Sequence, residues 1–298
     1  MNPGKVVDAY RIDENLRLGT DYNPPPVDTH FHFREDGNSF AHATLRCVGM
    51  GECRRQHKQT MCPSYRATME EKHSTRGRAH MLFEMMQGEV IEDGWRSHDV
   101  YEALDLCLSC KGCKHDCPVN VDMATYKAEF LSHYYQGRLR PRYAYAMGLV
   151  DKWAQLTSFA PEAANFLSQT SGLSSLAKLL GGIAQQRAMP KFARQTFQSW
   201  FRHRPTRNHG NPQVLLWADT FNNYFHPEVA AAATEVLEEA GYQVIVSLKH
   251  LCCGRPLYDY GFLDLAESYL HAITTGIQPY LEKGTPIVVL EPSCLGAC

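Results

Sequence analysis

The chain has 298 residues, a formal net charge of -2 and a sequence pI near 6.7, a length that suggests about two domains. Hydrophobic residues make up 44% and charged residues 21%, enough apolar side chain for a real core and too much for a disordered tail. The near-neutral charge excludes a nucleic-acid binder with a strong basic bias, and no run approaches the ~20 consecutive apolar residues of a membrane span. The N-terminus lacks the apolar core of a signal peptide, so the expectation is a soluble, cytoplasmic protein.

Residues 1–46 read as an irregular lead-in. Asn23-Pro24-Pro25-Pro26 favours extended structure, and Thr29 to Phe33 alternates like a short strand. A strand there would put His30 and His32 on one face, a pair able to ligate a metal, although beside a Pro-rich stretch it reads as surface. From 47 to 204 the pattern is helical with cysteine-bearing turns. Ser74 and Thr75 cap a helix from about 76 to 87, ended by Gly88. A second helix, about 98 to 107, runs into Cys107. Asn120 caps a third, with Asp122 in its first turn and Val121, Ala124, Ala128, Leu131 and Tyr135 on one face, stopped by Gly137. Pro141 and Pro161 begin further helices, and Gly172 to Ala184 reads as one more.

The last stretch, 211–298, changes character. Val214 to Ala218 is an apolar run fit for a buried strand. His226-Pro227-Glu228 opens a helix ending at Gly241, with Val229, Ala232, Ala233, Val236 and Ala240 as its core stripe. Tyr242 to Ser247 is a second strand, Phe262 to Leu281 a helix, and Pro286 to Leu290 a third strand. This order predicts a parallel α/β layer with right-handed crossovers. Ligands of such sheets sit beyond the carboxyl ends of the strands, where Cys252, Cys253 and Cys294 fall. Charge is uneven too: residues 163–218 contain no Asp or Glu and seven Lys or Arg, while 219–298 hold ten acids and three bases. The aromatic part of the acid-free stretch (Phe192, Phe197, Trp200, Phe201) has helical spacing and reads as a docking face against an acidic domain rather than a nucleic-acid surface.

Eleven cysteines are an odd count for a chain without an export signal, hence a poor disulfide framework. They fall at 47, 53 and 62, at 107, 110, 113 and 117, and at 252, 253, 294 and 298. The middle group, Cys107-Leu-Ser-Cys110-Lys-Gly-Cys113-Lys-His-Asp-Cys117-Pro118, is the C-x2-C-x2-C-x3-C-P run of bacterial ferredoxins. Three thiolates within seven residues must converge on one compact object. A cubane 4Fe-4S cluster accepts that arrangement, whereas zinc prefers two CxxC pairs with a longer spacer. The first group is a partial copy: Cys47, Met50 where a second cysteine would stand, Cys53, then Cys62-Pro63. In two-cluster ferredoxins the Cys of each Cys-Pro pair serves the other cluster. Cys62 would then complete a cluster on Cys107, Cys110 and Cys113, and Cys117 would join Cys47 and Cys53, one thiolate short. Alternatively Cys117 closes a single site with its neighbours. Arg76 and Arg78 could offset cluster charge or form ion pairs. Cys252-Cys253-Gly254 with Cys294 is a second redox- or metal-capable set, or a turn with buried thiols. No dinucleotide fingerprint, Walker A, HExxH or GxSxG sequence occurs.

With these residues in place the chain resembles the C-terminal, iron–sulfur part of the FAD-linked D-2-hydroxyacid dehydrogenases, the D-2-hydroxyglutarate and D-lactate dehydrogenase group. The likeness rests on Asn2-Pro-Gly-Lys5, RCVGMGECRR (46–55), MCPSYRAT (61–68), EEKHSTRGRA (70–79) and the Cys107 to Ala124 segment. CCGRPLYD (252–259) is similar to the CCG cysteine-rich domain of glycolate oxidase iron–sulfur subunits and heterodisulfide reductases. Two departures stand out: Thr220 occupies the place of an upstream cysteine, and Cys294 and Cys298 are three residues apart where CxxC is usual. The resemblance implies a 4Fe-4S electron-transfer module partnered by a FAD-binding oxidase domain or subunit that precedes residue 1. It also implies a CCG domain cut short at its C-terminus, and no catalytic residue in this chain. Rival readings are a stand-alone glycolate-oxidase-type iron–sulfur subunit, a zinc-stabilised interaction module and a thiol enzyme using Cys252 or Cys253.

Overall fold

Ser, Pro and Gly punctuate the first part of the chain at short intervals, and a series of short capped helices results. In a computed structural model, residues 4–14, 16–24, 26–57, 61–247 and 249–296 are described; Asn2, Pro3, Pro25 and Cys298, which entered the sequence reading, lie outside them. The chain divides into two compact units, Met1–Tyr126 and Lys127–Cys298. Most of the regular structure is helical, with one small parallel sheet.

In the first unit α1 (Phe40–Thr44) starts at Ser39, whose hydroxyl accepts from His42 N–H. Pro63 opens α2 (Pro63–Thr68). Ser74 caps α3 (Thr75–Gln87) by accepting from Gly77 N–H at 2.8 Å, and Gly88, at φ 70°, ends it. Ser97 caps α4 (His98–Asp105). After α5 (Gly112–Asp116) comes α6 (Met123–Tyr134). Phe40, Leu82, Val100 and Leu104 are buried in this unit, each contributing about 1.5–3 kcal/mol. The Phe40 ring stacks on Trp95 and meets Tyr126 edge-on, and the Tyr126 hydroxyl donates to the Ala43 carbonyl at 2.8 Å.

Two expectations for this region need correction. Thr29 to Phe33 forms no strand: Phe33 sits in the left-handed region (φ 43°) and leads into a 3-10 turn, Arg34–Asp36. Among the described residues no neighbouring strand offers a ladder, and the Phe33 ring instead packs on Phe40 and Tyr126. His30 and His32 are both exposed. Asn120 does not cap α6 either; it is left-handed (φ 52°), and Asp122 accepts from Thr125 N–H in its stead.

The second unit continues with α7 (Arg142–Gly148), α8 (Val150–Thr157), α9 (Pro161–Gln169), α10 (Leu173–Gly181) and α11 (Phe197–His203). Then β1 (Gln213–Trp217), α12 (Thr220–Tyr224), α13 (Pro227–Glu239) and β2 (Gln243–Val246) follow. The chain closes with α14 (Arg255–Asp259), α15 (Leu263–Leu281), β3 (Ile287–Val289) and α16 (Pro292–Leu295). The sheet is parallel in the order β2-β1-β3, with Val214 opposite Val244 and Leu216 opposite Val288. β1 is central and its last four residues are buried, as an apolar run in a covered parallel sheet requires.

The stripe of α13 is rotated from the expected one. Val229 and Val236 are exposed, while Ala230, Thr234 and Glu238 are buried, with Ala233 and Leu237 packed on the sheet. Glu238 is drawn inside by Arg204, which grips its two carboxylate oxygens at 2.6 Å each. The aromatic stretch is not a docking face. Phe197 is fully buried against Val214, Leu216 and Val244, and Trp200 and Phe201 pack on the same cluster. Last, Cys294 lies on α16 after the third strand, so a short helix does follow that strand.

Candidate metal centre

The Cys107 loop begins where α4 runs out. Two residues, Ser109 (φ 49°) and Lys111 (φ 56°), adopt the left-handed conformation, which non-glycine residues adopt only when the surroundings impose it. These reversals wrap the loop around a cavity lined by Cys107, Cys110 and Cys113 and, from the segment ahead of α2, by Cys62. Arg78 of α3 and Met123 of α6 also line it. Cys117 is not part of this lining. Cys62 and Cys113 are buried, whereas Cys110 is exposed. Burial pushes the Cys113 thiol up to about 12, reinforced by Cys107 and Cys110 and opposed by the Met123 N–H that points at its sulfur.

Arg78 is the most telling neighbour. It is 1% exposed. Its guanidinium donates to the Ala103 carbonyl at 2.7 Å, to Ser64 Oγ at 2.9 Å and to Cys62 Sγ at 3.4 Å. None of these partners is a carboxylate. A buried cation needs a counter-charge, and a neutral thiol supplies none; thiolates around a cluster do. The donor set therefore fits an iron–sulfur cluster held by Cys62, Cys107, Cys110 and Cys113.

A second set lies in the same unit. Cys47 and Cys53 are half-buried and buried. Burial raises both thiols, and the neighbours that act on Cys47 include Cys117, those on Cys53 both Cys47 and Cys62. Sulfur acceptors are already served by backbone: Arg76 N–H reaches Cys53 Sγ at 3.3 Å, and Gly49 N–H reaches Cys47. Arg76 Nη1 bonds Glu71 at 2.5 Å, but its Nε is buried without a hydrogen-bond partner among the described residues. Met50, at 61% exposed, leaves this set with three sulfurs of cysteine.

In the second unit the third group converges at the carboxyl ends of the strands. Gly254, left-handed at φ 68°, turns the chain so that Cys253 Sγ lies 3.2 Å from Cys294 Sγ. Its contact with Cys253 and then burial push the Cys252 thiol far up; Cys253 is lowered by Cys252 but driven to about 12 by Cys294 and burial. Thr220 stands beside Cys252, as the upstream position in the motif suggests. No residue spacing announces what surrounds it. Asp151 of α8 is buried and accepts from Thr220 Oγ1 (3.1 Å), His250 Nε2 (2.6 Å), Tyr269 Oη (3.0 Å) and Gln155 Nε2 (2.7 Å). Burial raises its pKa, and the His250, Tyr269 and Thr220 bonds outweigh that and hold it below the usual carboxylate range. His250 Nδ1 is buried and unpartnered among the described residues. His250 stands two residues before Cys252, the single trace in the sequence.

Residues 43–121 match the family described as 4Fe-4S dicluster domain, a span that contains the seven cysteines of the first two groups. By that match the cysteine-bearing segment is similar to iron–sulfur domains, and the relatives that share it are dehydrogenases and an oxidase subunit. The chain is 25% identical to D-2-hydroxyglutarate dehydrogenase of Pseudomonas putida, over 84% of this chain and 29% of that protein. With D-2-hydroxyglutarate dehydrogenase of Escherichia coli it shares 24% identity, over 98% of this chain and 33% of the relative. With the glycolate oxidase iron-sulfur subunit of Escherichia coli it shares 23%, over 84% of this chain and 56% of that one. The chain is similar, along most of its length, to the iron–sulfur part of the FAD-linked hydroxyacid dehydrogenases. It spans about a third of the length of the D-2-hydroxyglutarate dehydrogenases it matches. No solved structure matches significantly.

Proposed function

We propose that this chain is the electron-transfer portion of a FAD-linked D-2-hydroxyacid dehydrogenase acting on D-2-hydroxyglutarate or D-lactate. In this reading it takes electrons from a flavin on a partner domain or subunit and hands them to a downstream acceptor. The observation that carries the reading is the cavity where Cys62 meets Cys107, Cys110 and Cys113 under a buried, carboxylate-free Arg78. A 4Fe-4S cluster at these four sulfurs supplies reversible one-electron chemistry. The chain's own residues set how easily that happens. Arg78 places a fixed positive charge against Cys62, and the Met123 N–H points at Cys113; both favour the more negative, reduced state. Buried Cys62 and Cys113 exclude water from one side, while exposed Cys110, beside an exposed Leu108, leaves an edge toward a donor. Cys47, Cys53 and Cys117 form the second ligand set, with one position left to a non-cysteine group or a three-cysteine cluster. No residue of the chain is assigned as acid, base or nucleophile.

Anaerobic reconstitution followed by iron, sulfide and zinc analysis tests this. A brown protein that bleaches with dithionite and shows a reduced-state paramagnetic signal supports it. A colourless protein with stoichiometric zinc after reconstitution overturns it. The coverage of the glycolate oxidase subunit supports a second form, a separate iron–sulfur subunit with the same chemistry; co-purification with a flavoprotein subunit distinguishes the two.

A further inference from the structure

Each iron of a cubane takes one ligand from the protein, usually a cysteine, and the second sulfur set is one cysteine short. Cys47 and Cys53 turn inward, half-buried and buried. Met50, which stands between them where the repeat calls for a thiol, is 61% exposed. Glu52 is paired with Arg55 at 2.6 Å and Glu71 with Arg76 at 2.5 Å. Neither carboxylate is free to replace Met50.

Against this gap stands Arg76, the second residue of α3. An N–H in the first turn of a helix has no acceptor within the helix, and that of Arg76 donates to Cys53 Sγ at 3.3 Å. Its side chain reaches the loop between Cys47 and Cys53, where a Cβ placed on Gly49 would lie 3.6 Å from Arg76 Nε. Glu71 first, then Cys47 and Cys53, hold the guanidinium pKa up. Nη1 is taken by Glu71, yet Nε is buried and has no hydrogen-bond partner among the described residues. A buried N–H without an acceptor is costly, and a sulfide of a bound cluster would supply one. The guanidinium stays charged and has no acceptor lone pair to offer iron. It can donate to a cluster but cannot ligate it.

We propose that Arg76 completes the second set in place of a fourth cysteine: its Nε–H donates to an inorganic sulfide at the corner that Met50 leaves bare, and the site holds three irons instead of four. One electron then turns one ferric iron ferrous, with no iron–sulfur bond formed or broken. The cation alongside favours the more negative, reduced state. The inference rests on the reading of the cysteines as cluster ligands, and it concerns only the set of Cys47, Cys53 and Cys117.

The test is anaerobic reconstitution of the full chain with excess iron and sulfide, followed by iron and sulfide counts and by paramagnetic resonance before and after dithionite. The expected content is about seven irons and eight sulfides per chain, with about one spin per chain in the oxidised protein. A pair of ordinary four-iron clusters is silent in that state. Met50→Cys supplies the missing thiolate, and should raise the content to about eight irons and abolish the oxidised signal. Arg76→Met removes the side-chain donor and keeps the backbone N–H. Its oxidised signal should persist with a lower reduction potential, and Arg76→Lys, which restores a cation, should recover part of that shift. Three results overturn the proposal: about eight irons and no oxidised signal in the wild type, about four irons in the wild type, or an Arg76→Met potential equal to that of wild type. A chain that takes up neither iron nor sulfide overturns the underlying reading of the cysteines as well, which keeps the two failures apart.

Discussion

The Arg78 guanidinium and the Cys62 sulfur lie 3.4 Å apart, both buried, on two segments that the sequence separates by sixteen residues. One is a cation without a carboxylate, the other a thiol whose metal-bound form is an anion. Removing the cation while keeping the shape should therefore make the reduced cluster harder to form. For Arg78→Met the expected outcome is a reduction potential lower by on the order of 100 mV, since a unit charge some 6 Å away at an effective dielectric near 20 is worth roughly 3 kcal/mol. Redox titration followed by paramagnetic resonance reads this directly. An unchanged potential in a fully loaded variant would mean that Arg78 only packs.

The pairing of Cys62 with the Cys107 loop separates two ligand schemes. Cys62→Ser should cost the 4Fe-4S signal of the first site and most of its iron, while Cys117→Ser leaves that signal in place and affects the Cys47–Cys53 set. If instead Cys117→Ser abolishes the main signal and Cys62→Ser is silent, the loop closes on itself with four consecutive cysteines.

Much of this arrangement was readable from residue spacing, and the parts that were not share a cause. Ser74, Gly88 and Pro161 marked helix ends because capping is local. The apolar run at 214–218 marked a covered strand and 242–247 a second one, and the x2-spaced thiols had to converge whatever the rest of the chain does. The face of α13 was misjudged because Ala230 to Ala233 are alike on every side, and the decisive contact, Arg204 with Glu238, joins residues thirty-four apart. Asp151 was invisible for the same reason: its partners Thr220, His250 and Tyr269 come from distant segments. Long-range polar pairing leaves no period to read.

The Cys113 thiol gives a pH dependence with a definite sign. Its constant stands near 12 in the folded chain against 9.0 for a free thiol, chiefly through burial. A group raised on folding stabilises the fold fully below the unfolded value and loses that contribution as pH climbs toward the folded one. Chelator-treated protein should therefore lose stability between pH 9 and 12, by at most about 1.4 kcal/mol per pH unit from this thiol. Cluster-loaded protein, whose sulfur is already deprotonated, should lack that slope, and cluster uptake should improve with pH because binding releases the proton. Denaturant midpoints across the range, with Cys113→Ala as the flat control, check it.

Asp151 is expected to be a structural keystone of the second unit. Asp151→Asn keeps the shape but weakens bonds from His250, Tyr269 and Thr220, and strands their hydrogens in a buried site. A loss of about 1–3 kcal/mol in urea unfolding at neutral pH is expected. The sign with pH follows from its lowered pKa: the stabilisation holds above the ordinary carboxylate range and fades as pH falls through the folded value. The wild-type advantage over the Asn variant should therefore shrink in acid, and an advantage that grows there would contradict the charge-based account.

Gly77 shows why the stretch His73 to Ala79 takes the residues it does. A Cβ at this position would stand 2.0 Å from the Glu71 carbonyl oxygen and 3.0 Å from the Lys72 Cα. Those are backbone atoms of the 3-10 turn Glu71–His73, which cannot swing away as a side chain can. The same turn offers the His73 carbonyl to Ser64 Oγ at 2.9 Å and to Cys62 Sγ at 3.4 Å, and Gly77 itself lies between Arg76 and Arg78. Gly77→Ala would improve helix propensity by roughly 1 kcal/mol in an open helix, yet here the clash should dominate. A net loss of about 1–3 kcal/mol is expected, together with a lower iron content, because the turn that must shift carries the contacts of Cys62. Thermal unfolding and iron analysis of the variant measure both, and an Ala variant as stable and as well loaded as wild type would show that the close approach of α3 to this turn is not required.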